Sequence, residues 1–107
     1  MKKLLLIIAL STMFIGCLKT SNYAYKVTGS GGPFNITYTN EKGGTSQATA
    51  ASGWTYKWSE KQSKRFRYLS AQCSTFGSVK VDIIRDGKVI QTSSSTGNYV
   101  IASCKIP

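Results

Sequence analysis

Histidine is absent from this chain and acids are scarce, with four Asp and Glu residues against fourteen Lys and Arg. Lacking histidine, the chain has no imidazole base, no imidazole metal ligand and no Ser-His triad. The acids are Glu41, Glu60, Asp82 and Asp86. Asp86 belongs to a turn and Glu41 lies beside one, so a paired-carboxylate site would need Glu60 and Asp82 to meet. Helical signals are missing too, since no stretch keeps the i, i+3, i+4, i+7 apolar spacing. The glycine-rich Gly29-Ser30-Gly31-Gly32 lies between strand patterns and reads as a hairpin loop, not a phosphate cradle. An enzyme is not expected, and neither is a metal or cofactor.

Long apolar runs are lacking as well. The one near the start, Leu4 to Gly16, follows Lys2 and Lys3. As a helix its dozen or so residues would reach only ~20 Å, short of the ~30 Å hydrocarbon slab. It reads as a secretory signal. The run ends Phe14-Ile15-Gly16-Cys17, which resembles the lipobox of bacterial lipoproteins. That resemblance implies a diacylglycerol on the Cys17 thiol and cleavage just before it. The expected layout is then a signal peptide over 1–16, a lipidated tether over 17–22 and a folded domain over 23–107. An uncleaved hydrophobic anchor ending at Cys17 is the other reading, and either one exports and tethers the domain. Two or three acyl chains hold far more firmly than one, because each buried methylene adds about 0.8 kcal/mol. Setting Lys2 and Lys3 aside leaves twelve basic residues against four acids, a formal +8 that belongs to the domain.

What remains alternates at period two. Tyr23, Tyr25 and Val27 form one such set, Phe34, Ile36 and Tyr38 a second, and Trp54, Tyr56 and Trp58 a third. From Arg65 to Cys73, Leu69, Ala71 and Cys73 share a face opposite Phe66 and Tyr68. Val79, Val81 and Ile83 precede Asp86-Gly87, the dipeptide of a two-residue type I′ hairpin. A final turn is expected at Ser93 to Asn98, before a last strand carrying Val100, Ala102 and Cys104. Seven or eight short antiparallel strands with turns every eight to twelve residues argue an all-β, immunoglobulin-like sandwich. A small barrel is the alternative.

Cys73 and Cys104 each fall on the aliphatic face of a strand. In an exported domain with a thin core such a pair is expected to be bonded, closing a loop of about thirty residues for roughly 3 to 4 kcal/mol. A redox role is not expected, for want of a C-x-x-C spacing or an activating base.

Several segments together resemble the mycobacterial membrane protein small family, MmpS, of transport accessory proteins. They are "YKVTGSGGPFNITYTNEKGGTSQ", the tryptophan strand, "YLSAQ" and "DGKVIQTSSSTGNYVIASC", in that order. The resemblance implies a membrane-tethered extracytoplasmic β-sandwich that assists large lipid or siderophore exporters. The family's first cysteine typically stands where this chain has Val81.

A candidate binding surface combines Trp54, Tyr56 and Trp58 with Lys57, Lys61, Lys64, Arg65 and Arg67. On one reading the aromatics fill the core and the cations decorate a solvated loop. On the other, the basic loop lies against anionic lipid headgroups or an acidic glycan. Nucleic acid is not an expected partner of an exported chain. The expected function is a non-enzymatic, lipid-anchored envelope protein at the cell membrane or outer membrane, its domain facing the periplasm and engaging an envelope component such as a transporter. A hydrolase inhibitor and a structural part of an envelope assembly are the alternatives.

Overall fold

The computed structural model describes residues 20–30, 32–61 and 66–106. Eight strands occur among them: β1 (Thr20–Gly29), β2 (Phe34–Thr39), β3 (Thr45–Ala50), β4 (Trp54–Lys61), β5 (Arg67–Cys73), β6 (Phe76–Arg85), β7 (Lys88–Asn98) and β8 (Ile101–Ile106). They form two antiparallel four-stranded sheets, ordered β4-β1-β6-β7 and β3-β2-β5-β8. The chain is thus an all-β sandwich. The second sheet and the β4–β1 pair follow the strand order of an immunoglobulin sandwich, but beside β1, where that fold sets its first strand, this chain sets the β6–β7 hairpin.

Alternation explains the two layers. Tyr23, Tyr25 and Val27 of β1, Phe34 and Ile36 of β2, Leu69, Ala71 and Cys73 of β5, and Val79, Val81 and Ile83 of β6 all turn inward and are buried. Each large apolar side chain so buried stabilises the fold by roughly 1.5–3 kcal/mol. Toward β4 the interior is filled by rings. Tyr23, Trp58, Tyr25, Tyr56, Tyr38 and Trp54 pack in a continuous chain, with successive centroids 4.6 to 6.1 Å apart. Toward β8 the buried inward residues are small, Ala102 and Cys104, with Ile106 packing half-buried beyond them.

The hairpin between β6 and β7 turns on Asp86 (φ 50°) and Gly87 (φ 82°), the paired positive values of a type I′ turn. Gly29 meets a different demand. At φ +147° it lies so near β6 that a Cβ there would sit 2.0 Å from the Ser78 carbonyl oxygen.

Three expectations need correction. The hairpin expected at Gly29 to Gly32 does not join β1 to β2, because these two strands lie in different sheets. The expected turn at Ser93 to Asn98 is the second half of β7, paired with β6 as far as Phe76↔Asn98. Its inward positions are Ser93, Ser95 and Gly97, small enough for β8 to fold back closely, and the Ser95 hydroxyl donates to the Ile101 carbonyl at 2.9 Å. The reversal falls instead at Tyr99, φ 53°. Thr20, Ser21 and Asn22, expected in the tether, are the first residues of β1. The signal residues 1–16 and Cys17 lie outside the described residues.

Candidate ligand-binding face

The expected binding surface separates into parts. The aromatics of β4 point inward: Trp58 is buried and stacked on Tyr23, and Trp54 and Tyr56 pack half-buried against the core. Arg67 shares the inward face with Leu69, Ala71 and Cys73 and is only 1% exposed, so it is no surface cation. Lys64 and Arg65 lie outside the described residues. Lys57 and Lys61 are exposed on the outer face of β4, opposite the rings.

Arg67 is buried because it is fully partnered. Its Nε donates to Glu60 Oε1 at 3.1 Å, its Nη2 binds both Glu60 oxygens, and its Nη1 donates to the Asn40 carbonyl at 2.9 Å. The guanidinium lies 5.4 Å from the centre of the Trp58 ring, whose Nε1 donates to Glu60 at 3.2 Å. β4 and β5 belong to opposite sheets, so this cluster clamps one end of the sandwich. Beside it the Tyr25 hydroxyl donates to the Thr39 carbonyl at 2.7 Å. Burial raises the Tyr25 pKa above its ordinary range, against the opposing pull of Arg67.

The expected Cys73–Cys104 bond is not formed, and both thiols are free and buried. The β5–β8 register is the reason, since it sets Cys104 opposite Leu69, four residues before Cys73. Four strand residues span about 13 Å, whereas a disulfide needs Cα atoms within ~7 Å. Cys104 instead faces β6, with its Sγ 4.0 Å from the Val81 carbonyl oxygen. Burial pushes its pKa up to about 11, with Asp82 adding to the rise.

On the outer face of the first sheet lies a trough of about 780 Å³. Ala24 and Lys26 of β1, Thr55, Lys57 and Ser59 of β4 and Ile84 of β6 line it, and Asn22 and Gly87 close one end. Ser59 donates to the Asn22 side-chain oxygen at 2.6 Å, and the Asn22 amide donates to Asp86 at 2.9 Å, which fixes that end. Register explains the depth, because Ala24 stands directly between Lys57 and Ile84 and leaves a low floor. No carboxylate lines the trough. Asp82, next to Lys26 on β6, accepts from the Thr92 hydroxyl at 2.6 Å and lies 4.0 Å from the Lys80 ammonium. The opposite outer face differs: Gln47, Thr37, Ser70 and Ser103 form one uncharged row across it.

Sequence reasoning missed Lys26 and Lys80 as partners of Lys57. All sit out of phase with the core residues of their strands, which was visible. That β1, β4 and β6 are neighbours was not. Among the described residues no group of His, Cys, Asp and Glu is placed to hold a metal, and no helix is long and apolar enough to cross a membrane. No protein-family model matches the chain, and no curated protein matches it.

Proposed function

We propose that this chain is a non-enzymatic protein held on the outside of the cell membrane or on the outer membrane by lipid at Cys17, and that its sandwich binds another envelope component as a transport-accessory module. The observation that carries the binding role is the trough, a concave face offering amines, hydroxyls and an amide with no carboxylate among its lining residues. The carboxylates are engaged by other groups: Glu60 holds Arg67, Asp82 holds Thr92, and Asp86 holds the backbone N–H of Asn22. The anchoring role draws on spacing, since β1 begins at Thr20, three residues past Cys17. Three residues reach about 10 Å, so lipid at Cys17 would keep the sandwich against its bilayer.

The test places a photo-crosslinking amino acid at Thr55, in the trough, or at Thr37, on the opposite face, in intact cells. Crosslinks to an envelope transporter or another envelope component from position 55 and not from 37 are expected. Equal products from both faces, or products with cytoplasmic proteins, would overturn the reading.

A further inference from the structure

Lys57 stands opposite Ala24, two places before Lys26 along β1, and Lys80 stands opposite Thr28, two places beyond it. Lys57, Lys26 and Lys80 therefore step diagonally across β4, β1 and β6 on one outer face. Lys61, opposite Thr20, continues the line toward the first residue of β1. Each diagonal step is two residues along and one strand across, about 8 Å, and the whole stripe covers roughly 27 Å along the strands. Like charges on neighbouring strands repel. Here no carboxylate forms an ion pair with Lys26, Lys57 or Lys61 among the described residues; Lys80 alone reaches Asp82. Lys26, Lys57 and Lys61 are exposed and open to a ligand's counter-charge.

We propose that this stripe and its trough bind a linear acidic polysaccharide, the lysines taking its repeated carboxylates or phosphates and the polar and apolar floor taking the sugars. The Thr55 and Ser59 hydroxyls, which donate to the Gly53 carbonyl and the Asn22 side-chain oxygen, offer their lone pairs to sugar hydroxyls, the Asn22 side-chain NH2 offers a donor, and Ala24 and Ile84 offer apolar contact for ring faces. The inference rests on the reading of an exported domain and names the ligand class of the same site.

Two other polyanions fit less well. Single-stranded nucleic acid is gripped largely by aromatic stacking, and the two aromatic residues among the trough's lining, Tyr23 and Trp58, are buried with their rings turned to the core. A bilayer fits less well because its headgroup plane is flat, whereas Ala24, Thr55 and Ser59 lie in a trough that a single polymer chain can enter.

The experiment measures binding of the full chain in detergent micelles to polygalacturonate, with dextran as the neutral control and with phosphatidylglycerol vesicles and single-stranded DNA as the other polyanions. Saturable, salt-sensitive binding to polygalacturonate and none to dextran is expected. The double variant Lys26→Gln/Lys57→Gln should weaken it by about tenfold, the loss of two ion contacts of ordinary strength. Lys42→Gln/Lys105→Gln removes the same charge from exposed sites off this face and should stay within about twofold. Equal weakening by both doubles would overturn the proposal, as would tighter binding to vesicles or DNA that depends on Lys26 and Lys57. Circular dichroism confirms that both doubles are folded. Should the chain isolated from its own cells carry a free Cys17 thiol and still bind polygalacturonate, the anchored reading falls and this inference stands. A lipidated chain that ignores polygalacturonate would sink this inference alone.

Discussion

Replacing Glu60 with Gln leaves the Arg67 guanidinium inside the sandwich without its counter-charge. Arg67 is 1% exposed and Glu60 16%, so water can do little to replace what is lost. Breaking a buried pair by removing one partner costs about 3–5 kcal/mol, whereas an exposed pair is worth about 0–1 kcal/mol. Arg67→Met loses in addition the hydrogen bond to the Asn40 carbonyl and the stacking on Trp58. Both single variants should therefore lose about 3 kcal/mol or more, a large share of the ~5–15 kcal/mol that small domains possess. Urea unfolding followed by tryptophan fluorescence measures this, because Trp58 reports on the clamp directly. The double variant Glu60→Leu/Arg67→Met, apolar on both sides, should recover most of the loss, giving a coupling energy of about 2 kcal/mol or more. Single variants that each cost under ~1 kcal/mol, with additive effects in the double, would refute the buried clamp and return Arg67 to the surface.

Other outcomes follow from particular contacts. Gly29→Ala drives a methyl onto the Ser78 carbonyl oxygen, 2.0 Å from the ideal Cβ position, and should lower stability by at least ~2 kcal/mol in the same assay; a change under ~0.5 kcal/mol would contradict that close approach. Val81→Cys puts a second thiol on the strand that Cys104 faces, and under air oxidation the introduced thiol should bond to Cys104, seen as a 2 Da mass loss with Cys73 still titratable after unfolding; no bond would show that β6 and β8 are not aligned as described. Cys73 and Cys104 in the parent chain should both resist maleimide at neutral pH until denaturant is added, and fast labelling of either would contradict their burial. Alkali should destabilise the fold. The Cys104 thiol, pushed up to about 11 in the folded chain, ionises lower in the unfolded chain, and Tyr25 is raised in the same sense. This contribution is complete below about pH 9 and is lost as pH rises toward 11, at roughly 1.4 kcal/mol per pH unit for each group ionised only when unfolded. A urea midpoint that does not fall between pH 8 and pH 10.5 would refute it.

Much of the fold could be read from alternation because its core residues differ so sharply from their neighbours. Tyr23-Ala24-Tyr25-Lys26-Val27 and Val79-Lys80-Val81-Asp82-Ile83 each declare an inward and an outward face, and Asp86-Gly87 fixed the turn that joins β6 to β7. Three features stayed hidden for physical reasons. The β7 segment Ser93 to Asn98 has turn composition, yet its small side chains serve close packing against β8. Arg67 looks like one more cation in a basic stretch, and only the Glu60 carboxylate from the other sheet makes an inward guanidinium stable. The cysteines share suitable faces, but pairing depends on register between β5 and β8, which alternation does not encode. The trough was legible in part: Lys57 was already a candidate, while its companions Lys26 and Lys80 needed the strand order.

The proposed membrane role depends on the chemistry of Cys17. Mass spectrometry of the amino-terminal peptide, taken from the membranes of cells that make the full chain, should find a peptide that begins at Cys17 with a diacylglyceryl group on sulfur. A peptide that begins elsewhere, or a free Cys17 thiol, would contradict a lipid-held sandwich that presents its lysine-lined face outside the cytoplasm.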